Sequence, residues 1–213
     1  MSTEKINNPT PVSIVFVMDA SGSMANMGNE PLQGLNAFYK KQKDSGQFTS
    51  TLVFFSNDVT FHHKNIRGED VPVLSKSDYI IDGMTALYDA IGQSIEYQRN
   101  IKTENVIFVI LTDGHENAST SYNKNSIKEL ITEMEEKHKW LFIYLGANQD
   151  SFSVSQGIGI RHSADYAYTP EGCCNILRTI SDNVSRCVSN NIRTDNFSSE
   201  EIRTVENSTN FKI

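Results

Sequence analysis

Asp19-Ala20-Ser21-Gly22-Ser23 sets one carboxylate and two hydroxyls at alternate positions, directly after the apolar run Val12-Ser13-Ile14-Val15-Phe16-Val17-Met18. These are hard oxygen donors, which suit Mg²⁺, Mn²⁺ or Ca²⁺ better than nitrogen or sulfur would. Two other segments offer the same chemistry. Asp82-Gly83-Met84-Thr85 precedes a helical pattern, and Thr112-Asp113-Gly114 follows the apolar run Val106 to Leu111. Asp19, Ser21, Ser23, Thr85 and Asp113 would then converge from three loops on one point, with Gly22, Gly83 and Gly114 letting each loop turn tightly. A Mg²⁺-like ion takes an octahedral shell of oxygens and keeps several waters. Two aspartates nearly balance its charge, and hydroxyls with water complete the shell. Singly, each of the five is an ordinary cap or turn residue type. Their joint placement is what points to an ion.

That convergence requires elements that bring the three loops to one edge. Val12 to Met18 reads as a buried strand, followed by a helix over Glu30 to Lys43 with Leu32, Leu35, Phe38 and Tyr39 on one face and Gly46 as its stop. Phe48 to Phe55 reads as a strand, and Val59 to His63 as its antiparallel hairpin partner after the turn Ser56-Asn57-Asp58. Ser75 to Ile81 holds one helical turn. Thr85 to Arg99 is helical, with Leu87, Ala90, Ile91 and Ile95 inward. Val106 to Leu111 has the continuous apolar character of a central parallel strand. Asn125 to His138 is a helix with Ile127, Leu130, Ile131 and Met134 inward. Trp140 to Leu145 is a strand closed by Gly146. A short helix at Ser151 to Gln156, a strand at Ala164 to Tyr168 and a helix from Gly172 to Ser189 complete the pattern. Strand–helix alternation of this kind implies an α/β fold: a doubly wound, mainly parallel central sheet with one antiparallel edge strand and helices on both faces. In such sheets ligands bind outside the carboxyl ends of the strands, where the five residues lie. Residues 1–10 read as a polar arm, 11–190 as the domain, and 191–213 as a polar tail with one short helix near Ser199 to Val205.

With the five ligand-type residues in this order on these elements, the chain resembles the von Willebrand factor A-type domain over about residues 11 to 190. That family carries a metal-ion-dependent adhesion site on a Rossmann-like fold. The resemblance implies that Asp19, Ser21, Ser23, Thr85 and Asp113 hold Mg²⁺ or Mn²⁺, some directly and others through water. It also implies that a Glu or Asp of a partner protein supplies the last ligand. The stretches Leu111 to Ser119 and Tyr144 to Asp150 look like those of compact, stand-alone microbial and phage members of the family.

Other chemistry fits less well. His115-Glu116 lacks the second histidine of a His-Glu-x-x-His zinc site, because Ser119 stands there, and the pair reads as loop decoration beside the metal site. Neither Ser21 nor Ser23 lies in Gly-x-Ser-x-Gly. A phosphatase-type aspartate nucleophile after the first strand usually has a second aspartate two residues on, where this chain has Ser21. Gly157-Ile158-Gly159 lacks the third glycine of a dinucleotide loop and reads as a helix stop. Cys173, Cys174 and Cys187 have no zinc or redox spacing and read as buried, reduced thiols, which points to a cytoplasmic chain. The 213 residues carry a formal net charge of −7, which argues against nucleic acid or an anionic membrane surface as partner.

The expectation is therefore a non-enzymatic, metal-dependent protein-binding module. A Mg²⁺-dependent phosphate-ester hydrolase and a structural module with a vestigial metal site are the alternatives. Replacing Asp19 or Asp113 with Ala is expected to abolish cation binding and leave the fold intact.

Overall fold

In the computed structural model, which describes residues 11–147 and 151–190, the apolar runs lie side by side in one six-stranded sheet. Its strands are β1 (Val12–Asp19), β2 (Phe48–Phe55), β3 (Val59–Arg67), β4 (Val106–Thr112), β5 (Leu141–Ala147) and β6 (His162–Tyr166), in the order β3-β2-β1-β4-β5-β6. All neighbours run parallel except β2 and β3, so the antiparallel strand lies at an edge, as expected. The described α-helices are α1 (Glu30–Ser45), α2 (Leu87–Asn100), α3 (Lys124–His138), α4 (Ser151–Gly157) and α5 (Pro170–Asn190). The expected arm, tail and tail helix lie outside the described residues.

The period of two in β1 explains the layering. Ile14, Phe16 and Met18 enter one core with Leu35 and Phe38 of α1 and Ile176, Leu177 and Ile180 of α5. Val15 and Val17 enter the other with Ala90, Ile91 and Ile95 of α2 and Ile127 and Ile131 of α3. Each fully buried aliphatic side chain contributes about 1.5–3 kcal/mol, so a strand covered on both faces is firmly seated. Cys173 and Cys187 are buried in the first core, and none of the three cysteines is in a disulfide with another described residue. No described helix is long and apolar enough to cross a membrane.

Several boundaries differ from expectation. Gly146 does not close β5: it pairs with Thr112 on one side and Asp165 on the other, and the strand runs on to Ala147. Trp140 stays outside the strand, and β6 starts two residues earlier than expected, at His162. Helix α2 begins at Leu87 instead of Thr85, for a reason that belongs to the site below.

His63 on β3 faces the core, with Nε2 2.9 Å from the Ser50 hydroxyl and Nδ1 buried without a hydrogen-bond partner among the described residues. Burial, with a smaller contribution from His62, pushes its pKa down from 6.5 to about 4. Between these values the unfolded chain binds the proton and the folded one does not, so this contribution to stability is present above pH 6.5 and lost as pH falls toward 4. A His63→Gln chain is expected to lose less stability than wild type between pH 6.5 and 4. Discounting for partial exposure, the difference is about 1–2 kcal/mol, measured by urea unfolding at each pH.

Candidate metal centre

Strand β1 is the point at which the sheet order reverses. The chain leaves β1 through α1 on one face and leaves β4 through α3 on the other, so the loops after these adjacent strands diverge and open a crevice at their carboxyl ends. All five residues singled out in the sequence lie there.

Asp19 ends β1 and is fully buried. Its Oδ1 accepts the Ser21 amide at 2.7 Å and its Oδ2 accepts the Thr112 hydroxyl at 2.6 Å. The carboxylate thus ties the β1 loop to the end of β4. Its own backbone carbonyl accepts the Tyr79 hydroxyl, which anchors the segment before Thr85 to the same place. Burial pushes the Asp19 pKa up to about 6, against the Thr112 and Ser21 hydrogen bonds that lower it. Nearby Asp113 adds like-charge repulsion. This is a buried anion short of positive charge.

The remaining oxygens form a chain. Ser21 and Ser23 hydroxyls are 3.0 Å apart, and the Ser23 hydroxyl donates to Asp113 Oδ1 at 2.6 Å. The Tyr168 hydroxyl lies near enough to lower the Asp113 pKa, which burial raises. Yet its one proton goes to the Ser23 carbonyl at 2.6 Å, and Asp113 Oδ2 is buried without a hydrogen-bond donor among the described residues. Thr85 joins at Gly114: a Cβ at this glycine would stand 3.0 Å from Thr85 Oγ1 and 3.5 Å from Ser23 Oγ. A Cβ at Gly114 would thus crowd the Thr85 hydroxyl, whereas Gly83 has φ +78° and serves as the turn residue expected. An orphaned carboxylate oxygen, an under-compensated second carboxylate and converging hydroxyls fit a hard divalent cation. No cluster of three or more His, Cys, Asp or Glu side chains suited to a metal occurs among the described residues, so a nitrogen- or sulfur-ligated ion has no comparable place.

Loop contacts that the sequence did not announce hold Thr85 in place. The Thr85 amide donates to Asn117 Oδ1 at 2.8 Å, and the Asn117 amide returns a bond to the Thr85 carbonyl at 3.0 Å. The Ala86 amide goes to the Ser56 carbonyl. With these amides spent outside the helix, α2 starts at Leu87, and its first turn is capped from the β4–α3 loop. Glu116 Oε2 accepts the Tyr88 amide at 2.9 Å and the Ser119 hydroxyl accounts for the Asp89 amide at 3.0 Å. Glu116 also accepts the Ala118 and Ser119 amides, so it organises the loop and is not decoration. Asp89, buried in α2, accepts the amides of Thr120, Ser121 and Tyr122. The N-cap position of α2 falls on Ala86, which has no side-chain acceptor, so the cap comes from the β4–α3 loop instead.

Replacing Asp89 with Ala leaves three amides without their acceptor. It is expected to lower the melting temperature by roughly 5–10 °C, from the loss of about 2–4 kcal/mol, and to weaken Mn²⁺ binding although Asp89 touches no candidate ligand. Thermal unfolding and Mn²⁺ titration of the same sample check both effects.

No family model and no curated protein matches the chain. Solved structures do. The PilB minor pilin from Streptococcus sanguinis superposes with a TM-score of 0.64 at 14% identity, over 87% of this chain and 64% of the pilin. The vWF domain of the type V pili tip protein Mfa5 from Porphyromonas gingivalis gives 0.62 at 10%, over 84% and 97%. A von Willebrand factor type A protein from Catenulispora acidiphila gives 0.56 at 13%, over 81% and 42%. This chain therefore spans less than two thirds of the pilin. The likeness shows a fold of the von Willebrand factor A type.

Proposed function

We propose that this chain is a non-enzymatic protein-binding module whose carboxyl-edge site holds Mg²⁺ or Mn²⁺ and through it an acidic side chain of a partner. The observation that carries the reading is the buried Asp113 Oδ2, without a donor among the described residues, beside the Ser21–Ser23 hydroxyl pair. When bound, such an ion supplies Lewis acidity toward an outside carboxylate. Ser21, Ser23, Thr85 and Asp113 are the side chains that would face it. Asp19, with a protein donor on each oxygen, fixes the loop and contributes negative charge from behind. The pilin and pilus-tip names borne by two proteins of similar fold agree with a binding role.

The hydrolase alternative meets specific obstacles. An Asp19 nucleophile would have to attack from a fully buried position with both oxygens engaged. The Ser23 hydroxyl has a carboxylate as its acceptor, Asp113, and no histidine is bonded to it among the described hydrogen bonds. Serine attack would have to use the Asp113 carboxylate itself as base, without the oriented histidine of a Ser–His pair.

Panning a random peptide library on the immobilised chain in millimolar Mg²⁺ tests the reading. Enriched peptides are expected to share an obligatory Asp or Glu and to be released by EDTA. Enrichment of acid-free peptides, or capture indifferent to EDTA, would contradict it.

A further inference from the structure

At the opposite end of the sheet, where β4 and β5 begin, the described surface holds a cleft of about 490 Å³ between the C-terminal ends of α2 and α3. That is within the size range of small-molecule sites. Arg99, Lys102, Lys137 and Lys139 line it against one carboxylate, Glu104, in a chain whose net charge is −7. Trp140, 5% exposed, forms part of the wall.

Helix ends attract cations, because the last carbonyls carry partial negative charge. This accounts for Arg99 and Lys137, which also pair with Glu96 at 3.0 Å and Glu133 at 3.2 Å. The same field reaches Lys139, the C-cap of α3, and Lys102, one residue past the C-cap of α2, but it does not explain their backbone. Lys102 has φ +57° and Lys139 φ +59°, a backbone region that costs energy for any residue with a Cβ and is ordinarily taken by Gly or Asn. Among the described residues three non-glycine positions have such a φ; one is Asn65, an ordinary occupant, and the other two are these lysines, both on this cleft. The Lys102 ammonium makes no ion pair with any described residue. Strain kept where glycine would remove it marks a side chain retained for what it does.

We infer that this cleft is a binding site for a small, multiply charged phosphate-bearing solute, held by Lys102 and Lys139 with Arg99 and Lys137 flanking. The exposed pairs to Glu96 and Glu133 are weak enough to open toward a polyanion. β4 and β5 separate this site from the metal centre by roughly 20 Å, beyond the Debye length of about 8 Å at physiological salt, so the two bind independently.

The test uses pyrophosphate without added divalent cation and reads Trp140, the one tryptophan of the chain. Expected is a saturable fluorescence change that chloride at equal ionic strength does not produce. It should be unaltered in Asp113→Asn and roughly tenfold weaker in the double variant Lys102→Gly, Lys139→Gly. Both glycines suit the observed φ, so this variant retains the fold, which circular dichroism verifies. No saturable change together with no heat of binding, or equal affinity in the double variant, would overturn the assignment. Displacement of pyrophosphate by anionic phospholipid vesicles would overturn the assignment to a small solute.

Discussion

Asp113→Asn is expected to remove divalent-cation binding while the cation-free chain keeps its melting temperature or gains slightly. Asparagine preserves the shape and an oxygen to accept the Ser23 hydroxyl, which now bonds Oδ1 at 2.6 Å. It deletes one of the two charges at the site and brings N–H donors where an ion needs lone pairs. Losing a charged contact costs about 1.5–3 kcal/mol, or roughly 10–100-fold in affinity, and the misplaced donors add to that. Stability of the empty fold moves the other way. Asp113 repels Asp19, and its Oδ2 is buried without a partner among the described residues, so the neutral residue relieves both. Mn²⁺ titration alongside thermal unfolding in EDTA separates the two effects. A melting temperature many degrees lower would show Asp113 to be a structural residue instead.

Asp19→Ala is expected to behave differently, and here the structure corrects the sequence-based expectation that either alanine leaves the fold intact. Removing the Asp19 carboxylate strands the buried Ser21 amide and takes the main acceptor from Thr112, whose hydroxyl retains only a longer contact to the Gly114 carbonyl at 3.2 Å. The loss is about 2–4 kcal/mol, or roughly 5–10 °C in melting temperature for a chain of this length. Asp19→Asn retains one acceptor oxygen and should recover part of it. A lost function in Asp19→Ala thus reports loop collapse as well as lost charge, and Asp113→Asn is the cleaner probe of the cation. An Asp19→Ala chain as stable as wild type would show that the β1 and β4 loops are held together by other contacts.

The difference between these aspartates shows what local sequence carries. Strands buried on both faces announce themselves as apolar runs, so β1 and β4 were legible nearly residue for residue, and the carboxyl-edge rule then selected the five oxygen-bearing side chains. The supports were not legible. Thr112 to Asp19, Tyr79 to Asp19 and Asn117 to Thr85 join residues 93, 60 and 32 positions apart, through side chains that satisfy particular amides and hydroxyls. Nothing in the neighbourhood of Asn117 or Glu116 distinguishes such a contact from an ordinary polar loop. The strand limit at Gly146 escaped for a similar reason: pairing with both neighbours overrides the stop that a glycine suggests, while His162 joins edge strand β6 by pairing with Ile143.

Mn²⁺ binding, followed by loss of the free-ion electron paramagnetic resonance signal, tests the metal centre most directly. Wild type is predicted to take up one ion per chain saturably in the range up to millimolar, with Mg²⁺ competing and Asp113→Asn abolishing uptake. No saturable uptake by wild type at millimolar Mn²⁺, or equal uptake by Asp113→Asn, would contradict the account.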